Sequence, residues 1–150
     1  MTTIVDLAEL PTLVGTDLGY TAYRTVEQEQ INTFAVAADD DQWIHTDPER
    51  AASGPFGGPI AHGFLTLSLT IPFWGELVDV TGVKTKVNYG LEKVRFPAPT
   101  RAGARIRMTA EVVDVTEVPG GYQLTVDQSI ETEGGTKPVV VARGLYRFYA

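Results

Sequence analysis

The sequence predicts an α+β fold in which an antiparallel sheet of about five strands wraps around one central buried helix. Three observations carry that expectation. From Ala51 to Gly75 there are 25 residues without Asp, Glu, Lys or Arg, and within them lies an 11-residue apolar run, FLTLSLTIPFW. Beyond Gly82 the apolar period changes to two: Ile106, Met108, Ala110 and Val112 alternate with Arg105, Arg107, Thr109 and Glu111. Glycine pairs at Pro119-Gly120-Gly121 and Glu133-Gly134-Gly135 then break the alternating runs where hairpins need turns.

Local signals place the elements in order. A first strand is expected near residues 18 to 24. Thr25 followed by Gln28 has the capping-box pattern, and Ile31, Phe34, Ala35 and Ala38 recur at helical spacing, so an amphipathic helix is predicted over 26–38. Asp47-Pro48-Glu49-Arg50 combines an N-cap aspartate, a proline at the first helical position and an acid in the first turn. It starts a short helix over 48–53, which Ser53-Gly54-Pro55 ends. The apolar run from Phe64 to Trp74 is too short for a bilayer, which needs roughly 20 residues. Being apolar nearly all round, it is expected to be a helix surrounded by other structure, with Pro72 kinking or restarting it. Tyr122 to Ile130 and residues 138–149 supply further strands, and an antiparallel meander is the economical arrangement. Only the apolar helix is available to cover such a sheet, which makes the hot-dog arrangement, in a single domain over 1–150.

Composition narrows the function. The net charge of −7 disfavours nucleic acid, whose phosphates demand a basic surface. No cysteine is present, so disulfides, thiolate zinc sites and a cysteine nucleophile are excluded. The amino terminus lacks a basic n-region and reaches Asp6 early, so a cytoplasmic location is expected, with no membrane partner. Seven of the twelve basic residues (Lys84, Lys86, Lys93, Arg95, Arg101, Arg105, Arg107) fall between positions 84 and 107 with Glu92 as the only acid. A basic strip on an acidic protein suits a small polyanion, or it is simply the solvated side of alternating strands.

Chemistry gathers around the only two histidines. His45 follows Asp40 by five residues, between one predicted helix and the next. A carboxylate and an imidazole on one loop can share a water, and the imidazole changes protonation near neutrality. Asp39 and Asp41 are expected to be loop charges, and Asp47 a helix cap. His62-Gly63 stands at the start of the apolar helix, where first-turn N–H groups and a residue without a Cβ let a carbonyl oxygen approach. His62 is expected to pack and fix that turn. A metal held by His45, Asp47 and His62 is the alternative, and their spacing matches no ligand pattern. A water-activating pair beside an oxyanion donor suits hydration of an α,β-unsaturated carbonyl.

The run FAVAADDDQWIHTDPERA followed by GPFGGPIAHGF resembles the signature of the MaoC-like dehydratases, the (R)-specific enoyl-CoA hydratases, with Asp-x-Asn-x-x-His-x-Asp ahead of an Ile-x-His-Gly motif. YGLEKVRFPAPTRAG, residues 89–103, resembles the family's strand entering the sheet. The resemblance implies Asp40 and His45 as the catalytic pair and Gly63 as the oxyanion donor. Gln42 replaces the motif's asparagine, and Ile71 stands where some members have a serine, so Ser68 is given no role. It implies syn addition of water to trans-2-enoyl thioesters without metal or separate cofactor, coenzyme A being part of the substrate. Gln42, His62, Phe64, Lys93 and Arg95 are the substrate-binding candidates. The expected partners are an acyl-CoA or acyl-carrier-protein thioester and a second copy of the chain, since a five-stranded sheet leaves an edge to close. A thioesterase on the same fold would use an acid from the central helix, and Phe64 to Trp74 has none. A non-catalytic acyl-thioester binder is the remaining alternative.

Overall fold

A computed structural model describes residues 1–150. In chain order the elements are β1 (Thr3–Asp6), a 3-10 helix (Leu7–Leu13), β2 (Arg24–Thr25), α1 (Gln28–Ala38), α2 (Trp43–Thr46), α3 (Pro48–Ala52), α4 (Gly63–Ser68), α5 (Thr70–Leu77), β3 (Val78–Thr81), β4 (Thr85–Arg95), β5 (Arg105–Val118), β6 (Gly121–Thr132) and β7 (Pro138–Tyr149). Five strands form one antiparallel sheet in the order β2-β5-β6-β7-β4. The period-two pattern aligns across it: Met108 faces Ile130, Val112 faces Val126 and Leu124 faces Tyr146, all buried. Their shared face packs against Leu65, Leu69, Phe73, Trp74 and Leu77 from the central helix, with Phe73 wholly buried. Each large apolar side chain so enclosed contributes about 1.5–3 kcal/mol, and that gain holds helix to sheet.

The central helix breaks at Leu69, where α4 ends and α5 begins. Pro72 is the cause, since its nitrogen has no hydrogen to return to the Ser68 carbonyl one turn back. One side of this helix is not surrounded as expected: Phe64 and Ile71 are exposed at 71% and 42%. β4 runs past that side as an edge strand, bonded to β7 alone and exposed along almost its whole length.

Other expectations need correction. The strand near 18–24 is reduced to Arg24–Thr25 and a single bridge from Tyr20 to Thr109, with Gly19 just ahead of that bridge at a positive φ of 71°. The Thr25/Gln28 capping box does not form; Thr25 is spent in β2, α1 starts at Gln28, and its N-cap is Glu27. A second, parallel two-stranded sheet of β1 and β3 was not anticipated. Nor was the 3-10 helix, capped reciprocally by Asp6 and Glu9. No helix is long and apolar enough to cross a membrane.

Candidate active site

Asp40 reaches its position through its neighbour. α1 ends on Asp39 in the left-handed conformation, φ 54°, which aspartate tolerates better than most residues. The turn sends the Asp40 N–H back to the Ala35 carbonyl, 3.0 Å, and leaves the Asp40 side chain exposed. Asp39, expected to be a mere loop charge, therefore sets the direction of the chain. Next comes α2, a single helical turn where a loop was expected. The Gln42 carbonyl accepts from the N–H groups of His45 and Thr46, at 3.0 and 3.3 Å. Gln42 thus serves through its backbone, its side chain being exposed with no capping bond. Asp47 caps α3 as expected, its carboxylate accepting from Arg50 N at 3.0 Å.

His45 is buried, with 7% of its surface exposed. Its Nδ1 lies 2.6 Å from the Ile60 carbonyl, which can only accept, so Nδ1 carries the proton and Nε2 keeps a free lone pair. Burial holds the imidazole below its ordinary value near 6.5; the His62 ring adds to that, while the Ile60 carbonyl and the Asp40 carboxylate pull the other way without reversing it. The group is neutral at neutral pH and can take a proton. Gln28 supports the arrangement from α1, its amide donating to the His45 carbonyl at 2.7 Å. Sequence reasoning missed this role, because the residue contributing it stands seventeen positions away on another element.

His62 is the inner layer. Its Nε2–H donates to the Asp40 main-chain carbonyl at 2.8 Å, and its ring stacks on His45 with centroids 3.8 Å apart and planes 23° apart. Phe34 packs against its other side at 4.8 Å. Its Nδ1 is buried without a partner. Ligand atoms of Asp40, His45 and His62 all lie within 4.8 Å of one another, a set of the kind that binds divalent cations. The stack works against that use: an imidazole lone pair lies in the ring plane, and two nearly parallel planes direct theirs side by side rather than to one point. Asp47, named in the alternative metal set, is occupied as a cap.

Gly63 opens α4, so its N–H has no acceptor within the helix. A Cβ on it would fall 2.9 Å from ring carbons of Phe96, which covers the turn from the end of β4. Phe96 also meets Phe64 edge-on at 6.3 Å. It had no chemical signal in the sequence, although it lies within the YGLEKVRFPAPTRAG run. From Phe64 a groove of about 310 Å³ continues between the central helix and β4, lined by Leu67, Ile71, Leu91 and Tyr146 among others. Ser68 has turned its hydroxyl back to the Leu65 carbonyl at 2.6 Å.

The two basic candidates do not join this cluster. Lys93 stands on the outer face of the sheet, in a groove shared with Glu92, Asp127 and Arg143. Arg95 is exposed at the end of β4 and donates to the carbonyl of its own neighbour, Val94, at 2.7 Å.

The family model described as MaoC like domain matches residues 9–134. The chain is 46% identical to the 3-hydroxyacyl-thioester dehydratase Z of Mycobacterium tuberculosis (strain ATCC 25618 / H37Rv), over 100% of each chain. It is 40% identical to Nodulation protein N of Rhizobium leguminosarum bv. viciae, over 92% of this chain and 88% of that one. In fold it is similar to the (R)-hydratase from A. caviae involved in PHA biosynthesis, with a TM-score of 0.71 at 23% identity over 87% of this chain and 95% of that one. A buried imidazole with a free lone pair, a neighbouring carboxylate and a bare helix-start glycine thus stand in a chain that belongs to the MaoC-like domain family.

Proposed function

We propose that this protein is a hydro-lyase that adds water syn across trans-2-enoyl thioesters to give (R)-3-hydroxyacyl thioesters, and removes it in the reverse direction. The observation that carries the proposal is the fixed tautomer of His45. With Nδ1–H committed to Ile60, Nε2 is held as a base beside the Asp40 carboxylate, and the two share a water. As oxygen adds to C3, one of the pair takes the proton of the water and a proton is delivered to C2. The thioester carbonyl becomes enolate-like, and the Gly63 N–H, at the positive end of α4, donates to it. Phe96 lies against the turn at Gly63 beside that oxygen, and the acyl chain runs into the groove towards Tyr146.

Thioester hydrolysis from a helical acid is disfavoured by position. The helix does contain an acid, Glu76, beyond the run considered in the sequence. It stands in α5, beyond the break at Leu69 and on a different helical segment from Gly63, and faces Arg24 at 3.6 Å. The exposed edge of β4, with Val87, Tyr89 and Leu91 uncovered, supports a homodimer that also covers Phe64 and Ile71.

The test is to add purified protein to crotonyl-CoA and follow the enoyl absorbance together with free thiol. Absorbance should fall with no thiol appearing. Thiol release without hydration would convert the assignment to a thioesterase, and silence from both across several chain lengths would favour a non-catalytic binder.

A further inference from the structure

The lone pair on His45 Nε2 is free because the Ile60 carbonyl holds Nδ1–H, at 2.6 Å. That carbonyl follows a segment with little stiffness of its own: the seven residues from Ser53 to Pro59 include three glycines, and Gly57 takes a positive φ of 70°. Glycine loses more conformational freedom on ordering than any other residue, so such a segment keeps its place only where its surroundings hold it. At its first end Gly54 receives the edge of the Trp43 ring, where a Cβ would fall 2.9 Å from a ring carbon. At its second end the loop 98–104 takes over. Ile60 bridges Arg101, the Ala61 N–H donates to the Thr100 carbonyl at 2.7 Å, and the Ala102 N–H donates to the Pro59 carbonyl at 2.9 Å.

Between these ends the segment is braced by the Arg101 side chain. Its Nη2 donates to the Gly57 carbonyl at 2.7 Å, and the guanidinium lies across Gly58, where a Cβ would stand 2.5 Å from Nη2 and 3.3 Å from Nε. Gly58 has no positive φ, so its backbone would accept a side chain and only the arginine forbids one. Arg101 takes part in none of the ion pairs, which leaves its planar fork of donors for a neutral carbonyl.

We infer that Arg101 is a positioning residue for His45: by fixing Gly57 and Gly58 it holds the Ile60 carbonyl against His45 Nδ1–H, and so keeps the Nε2 lone pair free. The consequence for turnover rests on the hydratase activity proposed above; the consequence for the tautomer does not. The test reads the two separately. In ¹⁵N NMR, at a pH where the imidazoles are neutral, wild-type His45 should show a protonated Nδ1 and an unprotonated Nε2. The chain has two histidines, and loss of one set of signals in His45→Gln assigns them. Arg101→Met removes the brace, whereas Gly58→Ala keeps the arginine and displaces it with a methyl. Both should move the two His45 nitrogens towards intermediate shifts, the mark of exchange between tautomers. With crotonyl-pantetheine, which carries no nucleotide for a cation to hold, both should lower kcat on the order of 10- to 10²-fold and leave KM within error. Arg101→Lys retains one donor for the Gly57 carbonyl and should fall between wild type and Arg101→Met in both readouts. The double variant Arg101→Met/Gly58→Ala should lose no more than the worse single, because the methyl has nothing to displace once the arginine is gone. Unchanged nitrogen shifts in the folded single variants overturn the inference, as does a fall in kcat with the His45 nitrogens unmoved, or a double variant in which the losses add. If Arg101→Met does not fold, Gly58→Ala and Arg101→Lys carry the same two readouts. If wild type hydrates no thioester while the nitrogen shifts respond as stated, the hydratase reading fails and the brace stands.

Discussion

Two polar regions of this molecule are built on opposite rules. On the outer face of the sheet, charges neutralise one another across neighbouring strands: Arg105 with Glu133, Arg107 with Glu131, Arg143 with Asp127. Each pair is part-exposed and mutually satisfied, which leaves nothing over for a ligand. Around α2, polar groups are instead held by neutral main-chain carbonyls. His45 donates to Ile60 and His62 to Asp40, so each imidazole is oriented through one nitrogen while the other stays free. A carbonyl can fix a tautomer without supplying the charge that would quench a base. The difference teaches where chemistry can reside: a side chain paired with its opposite charge is settled, and one steered by the backbone remains available.

The largest way to break the comparison is to remove the steered groups. Asp40→Asn and His45→Gln should each lower crotonyl-CoA turnover by on the order of 10² to 10⁴, measured under saturating substrate with folding checked by circular dichroism. Near-normal rates in both would remove the basis for treating this region as reactive. Gly63→Ala comes next. The added methyl meets the Phe96 ring, so the ring must shift, and misplacing the carbonyl by about 1 Å costs on the order of 10² in turnover. Pairing it with Phe96→Ala, which makes room, should recover part of that loss.

His62 tests the steering itself. If the Nε2–H to the Asp40 carbonyl is what matters, His62→Gln, whose amide nitrogen reaches about as far as Nε2, should keep several times more kcat than His62→Asn, whose amide stops short. Equal losses would mean that the stack on His45 dominates. A pH profile gives a smaller effect with a definite sign. Since the folded His45 imidazole lies below its ordinary value near 6.5, the acid limb of kcat/KM for crotonyl-CoA should fall below that pH. Stability follows the same group: the unfolded chain binds its proton more readily, so the His45 contribution is complete above about 6.5 and is lost as pH drops towards the folded value. His45→Gln should flatten that part of the curve of thermal midpoint against pH. Smallest of all, Arg143→Gln on the outer face should leave both turnover and thermal midpoint within error, because exposed ion pairs contribute little.

Much of the fold was legible because its signals are local. Alternation along Arg105–Glu111 and Tyr122–Ile130, and the uncharged run after Ala51, each state which face is buried without reference to partners. The capping box at Thr25 misled for the converse reason: the pattern was present, but pairing with Arg105 took the residue into β2 before it could cap anything. Asp40, His45 and Gly63 could be singled out by residue type and spacing together with the resemblance to the MaoC-like motif. Gln28 and Phe96 could not, since their relation to His45 and Gly63 exists only after α1 and β4 have packed.

By itself, the sequence determined the α+β class, the antiparallel sheet over a short apolar helix, and the two histidine segments as the place where chemistry gathers. These follow from periodicity, length and side-chain type, which are properties of neighbouring residues. Only the tertiary structure decided which nitrogen of each histidine is free, that Lys93 stands on the outer face of the sheet while Arg101 is tied to the Gly57 carbonyl, and that one side of the helix stands open. Those depend on hydrogen bonds and contacts between residues far apart in the chain, such as His62 with Asp40 and Arg101 with Gly57. Such contacts come into being when the surfaces meet, and no local pattern encodes them.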